Sequence, residues 1–229
     1  MQDEGCTNAY VISDTEVYGR GMAANVARIA GERGLAILAN ETLDPSPANV
    51  RAAAKRVAAA NAACFFFAGF TQNNAVGAFK AVAAGSPDIK LFGPDGVAET
   101  AFTDELGPAL EQRVYITNPT LGRRAYPPRG QKFFADFRAK YGRYPEPYAI
   151  YGYEAMSVLL SSIRQAGVAR ADAKGRRAVV DAFFDQTRRR SVLGTYDIDR
   201  YGDTTLADFG GFKAAGGRLV FHRRIVAAP

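Results

Sequence analysis

Asn8 to Gly21 reads NAYVISDTEVYGRG. Ala9-Tyr10-Val11-Ile12 is a short apolar run of strand-forming residues. Ser13-Asp14-Thr15 halts it with small polar side chains, and a helical pattern opens near Tyr18. The loop of this strand–loop–helix lies at the carboxyl end of the strand. That is where open α/β sheets bind their ligands.

Moving outward, the helix runs from about Tyr18 to Glu32, with Met22, Val26 and Ile29 predicted on one face and Gly34 as its stop. Leu35–Ala39 reads as a second strand. Asp44-Pro45-Ser46-Pro47 caps a helix from Ala48 to Ala60. Ala63–Gly69 is continuously apolar, as a central parallel strand buried on both faces should be. Asn73 or Asn74 caps a helix to Ala84, Ile89–Phe92 is a fourth strand, and Gly93-Pro94-Asp95-Gly96 ends it. A short helix near Thr100–Leu106 leads to a fifth strand, Val114–Thr117. Strand and helix therefore alternate, which predicts an α/β fold with a doubly wound parallel sheet.

The pattern changes after Pro119. Helices are predicted at Gln131–Tyr141 (Phe133, Phe134 and Phe137 on one side), Tyr148–Ala166 (Tyr151, Ala155, Val158, Leu159, Ser162) and Gly175–Arg189 (Val179, Val180, Phe183, Phe184). No convincing strands separate them. Short extended runs follow at Val192–Gly194 and Thr195–Ile198, and Asp208–Lys213 with Arg218–Val226 reads as a β-hairpin around Gly216-Gly217. Three amphipathic helices need a second layer to cover, and the sequence supplies no obvious one.

The composition is that of a globular chain: 229 residues, 48% hydrophobic and 23% charged. No apolar run approaches the ~18 residues that span a bilayer. The opening MQDEGCTNAY has no basic and then apolar region of a signal peptide. The net charge is +6, but the basic residues are scattered, and Arg188-Arg189-Arg190 is placed at a helix end, where cations complement the dipole. This describes a solvated surface, with no nucleic-acid partner. Cys6 and Cys64 lie in no CxxC, so zinc is unsupported. Counting from the strand ends puts them at different heights, and no disulfide between them is expected.

Two chemistries compete. Gly19-x-Gly21-x-x-Ala24, with Glu41 at the end of the second strand, matches a dinucleotide fingerprint. Its spacing is poor, because Asp14–Tyr18 intervenes and pushes both glycines into the helix start. His222 is the lone histidine, placed on an exposed strand, so a Ser-His-Asp triad has little support. No metal-binding loop and no cofactor motif beyond the weak glycine pattern is found. Against this, the loops SDTEVYG, AGFTQNN and GPDGVAE all open at one edge of a parallel sheet. They offer Tyr18, Phe70 and Asp95, two aromatic walls and a carboxylate. Such a cradle suits a small molecule with an apolar part and an ammonium group. It holds no nucleophile and no proton relay, so it describes binding without turnover.

The sequence resembles the substrate-binding proteins of ABC transporters for branched-chain amino acids, the Leu/Ile/Val-binding family with the type I periplasmic-binding fold. The resemblance is carried by Val11-Ile12-Ser13-Asp14-x-x-x-Tyr18-Gly19-x-Gly21, Ala68-Gly69-Phe70, Phe92-Gly93-Pro94-Asp95-Gly96-Val97-Ala98, Tyr148-x-x-x-x-Tyr153-Glu154-Ala155 and Leu193-Gly194 followed by Tyr196-Asp197-x-x-x-x-Gly202-Asp203. It implies two α/β lobes that close over a ligand. It assigns Tyr18, Phe70, Asp95 and Tyr148 to ligand binding, Asp95 standing where the family usually has a longer Glu. It implies residues 1–119 as the second lobe, 120–206 as the helical part of an incomplete first lobe, and 207–229 as a hairpin returning to the second. Hinges are expected near Thr117–Leu121 and Thr204–Phe209. The family's first lobe and its carboxylate clamp are not found, so Met1 is expected to be internal to a longer protein. Tight amino-acid binding by this chain alone is not expected. The implied whole protein is a monomer that works with a membrane permease in the periplasm or anchored at the cell exterior. It is not an enzyme and needs no cofactor.

Overall fold

The structure, a computed structural model, describes residues 1–168, 170 and 172–226. The chain divides into two compact units: Met1–Pro119 with Phe209–Ile225, and a second containing Thr120–Asp208.

The first unit is built on a seven-stranded sheet. Its parallel strands are β1 (Asn8–Ser13), β2 (Ala36–Thr42), β3 (Cys64–Ala68), β4 (Lys90–Gly93) and β5 (Val114–Asn118). The hairpin strands β8 (Asp208–Ala215) and β9 (Arg218–Val226) extend it, β8 pairing antiparallel with β5. The order is β2-β1-β3-β4-β5-β8-β9. The chain moves from β1 outward to β2, then crosses back to β3 on the other side of β1. That reversal leaves a crevice above the carboxyl ends of β1 and β3.

Alternation in the central strands divides the core. Tyr10, Ile12, Phe65, Phe67, Leu91 and Ile116 face α2 (Pro47–Ala59), α3 (Ala75–Gly85) and α4 (Thr100–Leu106). Ala9, Val11, Cys64, Phe66 and Phe92 face α1 (Val17–Glu32). Ser46 caps α2 by accepting from Asn49 N–H, with Pro47 at the first helical position. In the hairpin turn, Gly216 and Gly217 take φ of 60° and 68°, which a side chain would resist. The Glu111 carboxylate accepts both of their N–H groups at 2.8 Å, which holds its pKa below the usual carboxylate range.

The face of α1 departs from expectation at one residue: Met22 and Val26 pack against the core as predicted, and Ile29 does not. Gly19, Ala23 and Ala30 are buried, while Ile29 is exposed. Small residues let the helix lie close to β1 and β3, and that proximity outweighs the burial Ile29 would have given. The two cysteines also differ: Cys6 and Cys64 form a disulfide with Cα atoms 5.8 Å apart. Cys64 is level with Ala9, three residues beyond Cys6. An extended chain would separate them. Instead Gly5 turns with φ 81°, Cys6 N–H returns to the Met1 carbonyl, and the chain bends at Thr7 before the strand begins.

The second unit contains α5 (Pro128–Tyr141), α6 (Ala149–Ala166), α7 (Ala173–Phe184) and the two-residue strands β6 (Arg189–Arg190) and β7 (Thr195–Tyr196), which pair with each other. α6 buries Val158 and Ser162 as predicted, together with Ile150 and Glu154 in place of Ala155 and Leu159, and leaves Tyr153, Met156, Leu159, Leu160 and Ile163 exposed. α7 stops at Phe184, so the three arginines do not end a helix. Arg188 takes a left-handed φ of 47°, and Arg189 enters the interior to meet Glu154 at 2.6 Å. The Tyr196 hydroxyl donates to the same Glu154 oxygen at 2.9 Å; burial, then this carboxylate, pushes the phenol pKa up to about 12. A buried carboxylate drew the middle arginine inward, which composition could not show.

Candidate functional site

The crevice of the first unit collects three of the four residues singled out from the sequence. Tyr18 stands in the first turn of α1, Phe70 directly follows β3 and its Ala68-Gly69 end, and Asp95 follows β4. All three are half-buried.

Their arrangement differs from two facing walls. The rings of Tyr18 and Phe70 stack on each other, centroids 4.7 Å apart and planes inclined by 29°. No ligand fits between rings at that distance, so they form one aromatic shelf. The Tyr18 hydroxyl donates to Asp95 Oδ1 at 2.7 Å. Burial, followed by the neighbouring Asp95 carboxylate, raises the phenol pKa well above its ordinary value. Tyr18 therefore remains a neutral donor, and the carboxylate is oriented at the edge of the shelf. An ammonium group arriving there would share Asp95 with the phenol.

Gly96 is required by this closeness. A Cβ there would lie 2.5 Å from the Gly69 carbonyl oxygen and 3.1 Å from both aromatic rings. Gly96→Ala is expected to force the β4 loop off the shelf and to lower stability by about 1–3 kcal/mol. Urea unfolding followed by circular dichroism would measure the loss.

Behind the shelf is a group the sequence reading treated only as a strand stop. Asp14 is 1% exposed. Its Oδ1 accepts from Glu16 N–H at 3.1 Å; its Oδ2 accepts from Phe70 N–H at 3.1 Å and from Asn73 Nδ2 at 2.7 Å. Its own N–H donates to the Ala68 carbonyl at 2.9 Å. The available signal was its place, an Asp between a strand end and a helix start, where side-chain carboxylates bond to nearby backbone N–H groups.

The glycines of the fingerprint have other roles. A Cβ on Gly19 would meet Asp14 Oδ1 at 2.1 Å and the Ala68 carbonyl at 2.6 Å. Gly19 thus makes room for Asp14 and β3, not for a phosphate. Glu41, the would-be ribose acid, is held bidentate by Arg56 and accepts from the Tyr10 hydroxyl. His222 lies on β9 with its Nε2 3.1 Å from Glu4 Oε1, and its ring is edge-on to Tyr115. It is an exposed strand residue, as the sequence predicts.

Tyr148 belongs to the second unit, where it caps α6 and tilts against Tyr151 at 6.2 Å. That unit also has a groove of about 610 Å³, lined by Phe133, Phe137, Tyr141 and Tyr153. In its lining, Lys132 pairs with Asp136, and Glu154 with Arg189. Among the described residues, no group of His, Cys, Asp and Glu is placed to hold a metal, and no helix is long and apolar enough to cross a membrane.

Comparison with known proteins identifies relatives of the whole chain. The family described as "Periplasmic binding protein" matches residues 1–216. A leucine-, isoleucine-, valine-, threonine- and alanine-binding protein from Pseudomonas aeruginosa is 24% identical over 87% of this chain. The chain spans 51% of that relative's length. Among solved structures, a leucine-binding protein from Thermotoga maritima superposes with a TM-score of 0.80 at 19% identity, over 98% of this chain and 62% of the other. A branched-chain amino acid transporter substrate-binding protein from Streptococcus pneumoniae, solved with isoleucine, gives 0.77 at 16%, over 98% and 61%. At these identities the structures show a shared fold.

Proposed function

Because the chain belongs to the periplasmic binding protein family, we propose that it is a solute-binding component of an ABC importer for a branched-chain amino acid or a related small amino acid or amide. The family is one of binding proteins, and the crevice holds no nucleophile beside a base. The observation that carries the reading is the Tyr18–Phe70 shelf with Asp95 fixed at its edge. An aliphatic side chain would cover the rings, while the ligand ammonium would donate a charge-assisted hydrogen bond to the carboxylate. Relatives named for leucine, isoleucine and valine support that ligand class.

The rest of the reading follows from the division of the chain. The backbone passes between units at Pro119–Thr120 and again at Asp208–Phe209. We infer that lobe closure pivots on these two crossings, that Tyr148 joins the site on closure, and that the closed form docks on a membrane permease. The exposed stripe Met156, Leu159, Leu160 and Ile163 has the chemistry of a helix face that packs on a sheet, as the helical layer of a second lobe would. A periplasmic or extracellular setting is favoured by the Cys6–Cys64 disulfide, since such bonds persist in oxidising compartments.

The experiment is a titration of the isotope-labelled chain with leucine, valine and a small amide, followed by amide NMR shifts. Saturable shifts at Tyr18, Phe70 and Gly96 are expected with leucine at millimolar concentration, weakened at least tenfold in Asp95→Ala, since hydrogen bonds to charged groups contribute about 1.5–3 kcal/mol. Absence of any saturable shift, or binding indifferent to Asp95, would overturn the reading. The nucleotide alternative predicts ATP- or NAD-induced shifts around Gly19, where the packing leaves no room.

A further inference from the structure

We propose that Asp14 is the positioning residue of this site: its buried carboxylate sets the spacing of the two loops that carry Tyr18 and Phe70. It touches no ligand in the reading above and would act only through those rings. One carboxylate ties together the start of α1, through Glu16 N–H, and the loop after β3, through Phe70 N–H and Asn73 Nδ2. These are the two sides of the topological switch point. Every donor comes from one loop or the other, so the carboxylate is a staple across the crevice rather than the cap of a single turn.

Three observations support this. First, Asp14 is 1% exposed, and among the described residues no cation pairs with it. A buried carboxylate in that position depends on its N–H donors for solvation, and three aimed groups are present. Second, both neighbouring glycines make space for it. A Cβ on Gly19 would fall 2.1 Å from Oδ1, and one on Gly69 would fall 2.4 Å from Oδ2. Gly19 is one residue from Tyr18 and Gly69 one from Phe70, so the carboxylate sits in a socket directly behind the shelf. Third, the Asp14 N–H bonds to the Ala68 carbonyl and so extends the β1–β3 ladder by one step, fixing the side chain to the rigid end of the sheet. Rigid elements hold a site more tightly than free loops do.

The 4.7 Å ring stacking therefore depends on a group that no ligand meets. Removing it should let the two loops move independently while the sheet below stays paired. The ligand part of the proposal rests on the amino-acid reading; the loop part does not, and the test separates them.

Amide hydrogen exchange by NMR is compared for the unaltered chain, Asp14→Ala and Asn73→Ala. In Asp14→Ala, exchange at Glu16 and Phe70 should rise at least tenfold, with Val11, Phe66 and the α6 amides unchanged. In Asn73→Ala, which deletes one donor from the loop after β3, Phe70 should accelerate and Glu16 should not. If Asp14→Ala fails to fold, Asn73→Ala decides. Uniform acceleration through the sheet would show a merely structural role, and no change at Phe70 would show no staple; either overturns the proposal. In the same samples, leucine-induced shifts at Gly96 should weaken at least fivefold in Asp14→Ala. If leucine shifts nothing in the unaltered chain, the amino-acid reading fails, and the exchange data still decide the role of Asp14.

Discussion

Replacing both cysteines, as Cys6→Ala with Cys64→Ala, is expected to lower the stability of the first unit by about 4 kcal/mol. The two residues are separated by 58 positions. A cross-link across a loop of that length removes roughly this much chain entropy from the unfolded state. The expected midpoint shift is on the order of 10–20 °C for a unit of this size. Both sulfurs are buried beside Val11, Phe66 and Ala9, so the substitution also removes packing, which adds to the loss. Thermal unfolding, with hydrogen exchange to locate the effect in β1, β2 and β3, would measure it. A shift under 2 °C would mean that the bond contributes little beyond what the fold already holds.

Arg189→Ala should be about as damaging in the second unit. The guanidinium binds Glu154 through Nε at 2.6 Å and Ser157 Oγ at 3.0 Å, and the paired side chains are 13% and 5% exposed. Without the arginine, Glu154 keeps only the Tyr196 hydroxyl. Breaking one side of a buried pair costs about 3–5 kcal/mol, chiefly because the remaining charge is left uncompensated. The double variant Glu154→Met with Arg189→Met discriminates between causes. It should recover most of the loss, because no charge is then stranded. If it is as unstable as the single variant, packing around the arginine stem and not charge is the main contribution. Urea unfolding of both variants makes the comparison.

The parts of the fold that could be read from the sequence are those set by local pattern. Phe65-Phe66-Phe67 is apolar on both faces, and only a strand covered on both sides buries such a run. Parallel topology then puts the carboxyl ends of β1, β3 and β4 at one edge, which is why Tyr18, Phe70 and Asp95 meet. What could not be read depends on contacts between distant residues. On α1 the periodicity picks out Met22 and Val26, which pack against the core, but it rewards large residues and so gives no sign of Gly19 and Ala23, which close approach to β3 selects. Arg188-Arg189-Arg190 reads alike at every position, and only the location of Glu154, far away on α6, gives the middle one an interior partner. The disulfide was discounted because counting assumed an extended chain before β1, and the left-handed turn at Gly5 invalidated the count. The stacking of Tyr18 on Phe70 follows from Asp14 and Gly96, whose side-chain reach and lack of a side chain leave no periodic mark.

The pairing of β5 with β8 has a consequence for how this protein folds. Tyr115 lies opposite Lys213, although the whole helical unit separates them in the chain. Until β8 docks, β5 is an unpaired edge with Val114 and Ile116 ready to be buried. An open edge of that kind is a template for pairing with other chains. The interval ends only when Asp208–Ala215 pairs with it. Anything that slows folding of the intervening stretch therefore lengthens the period of greatest exposure to misassembly.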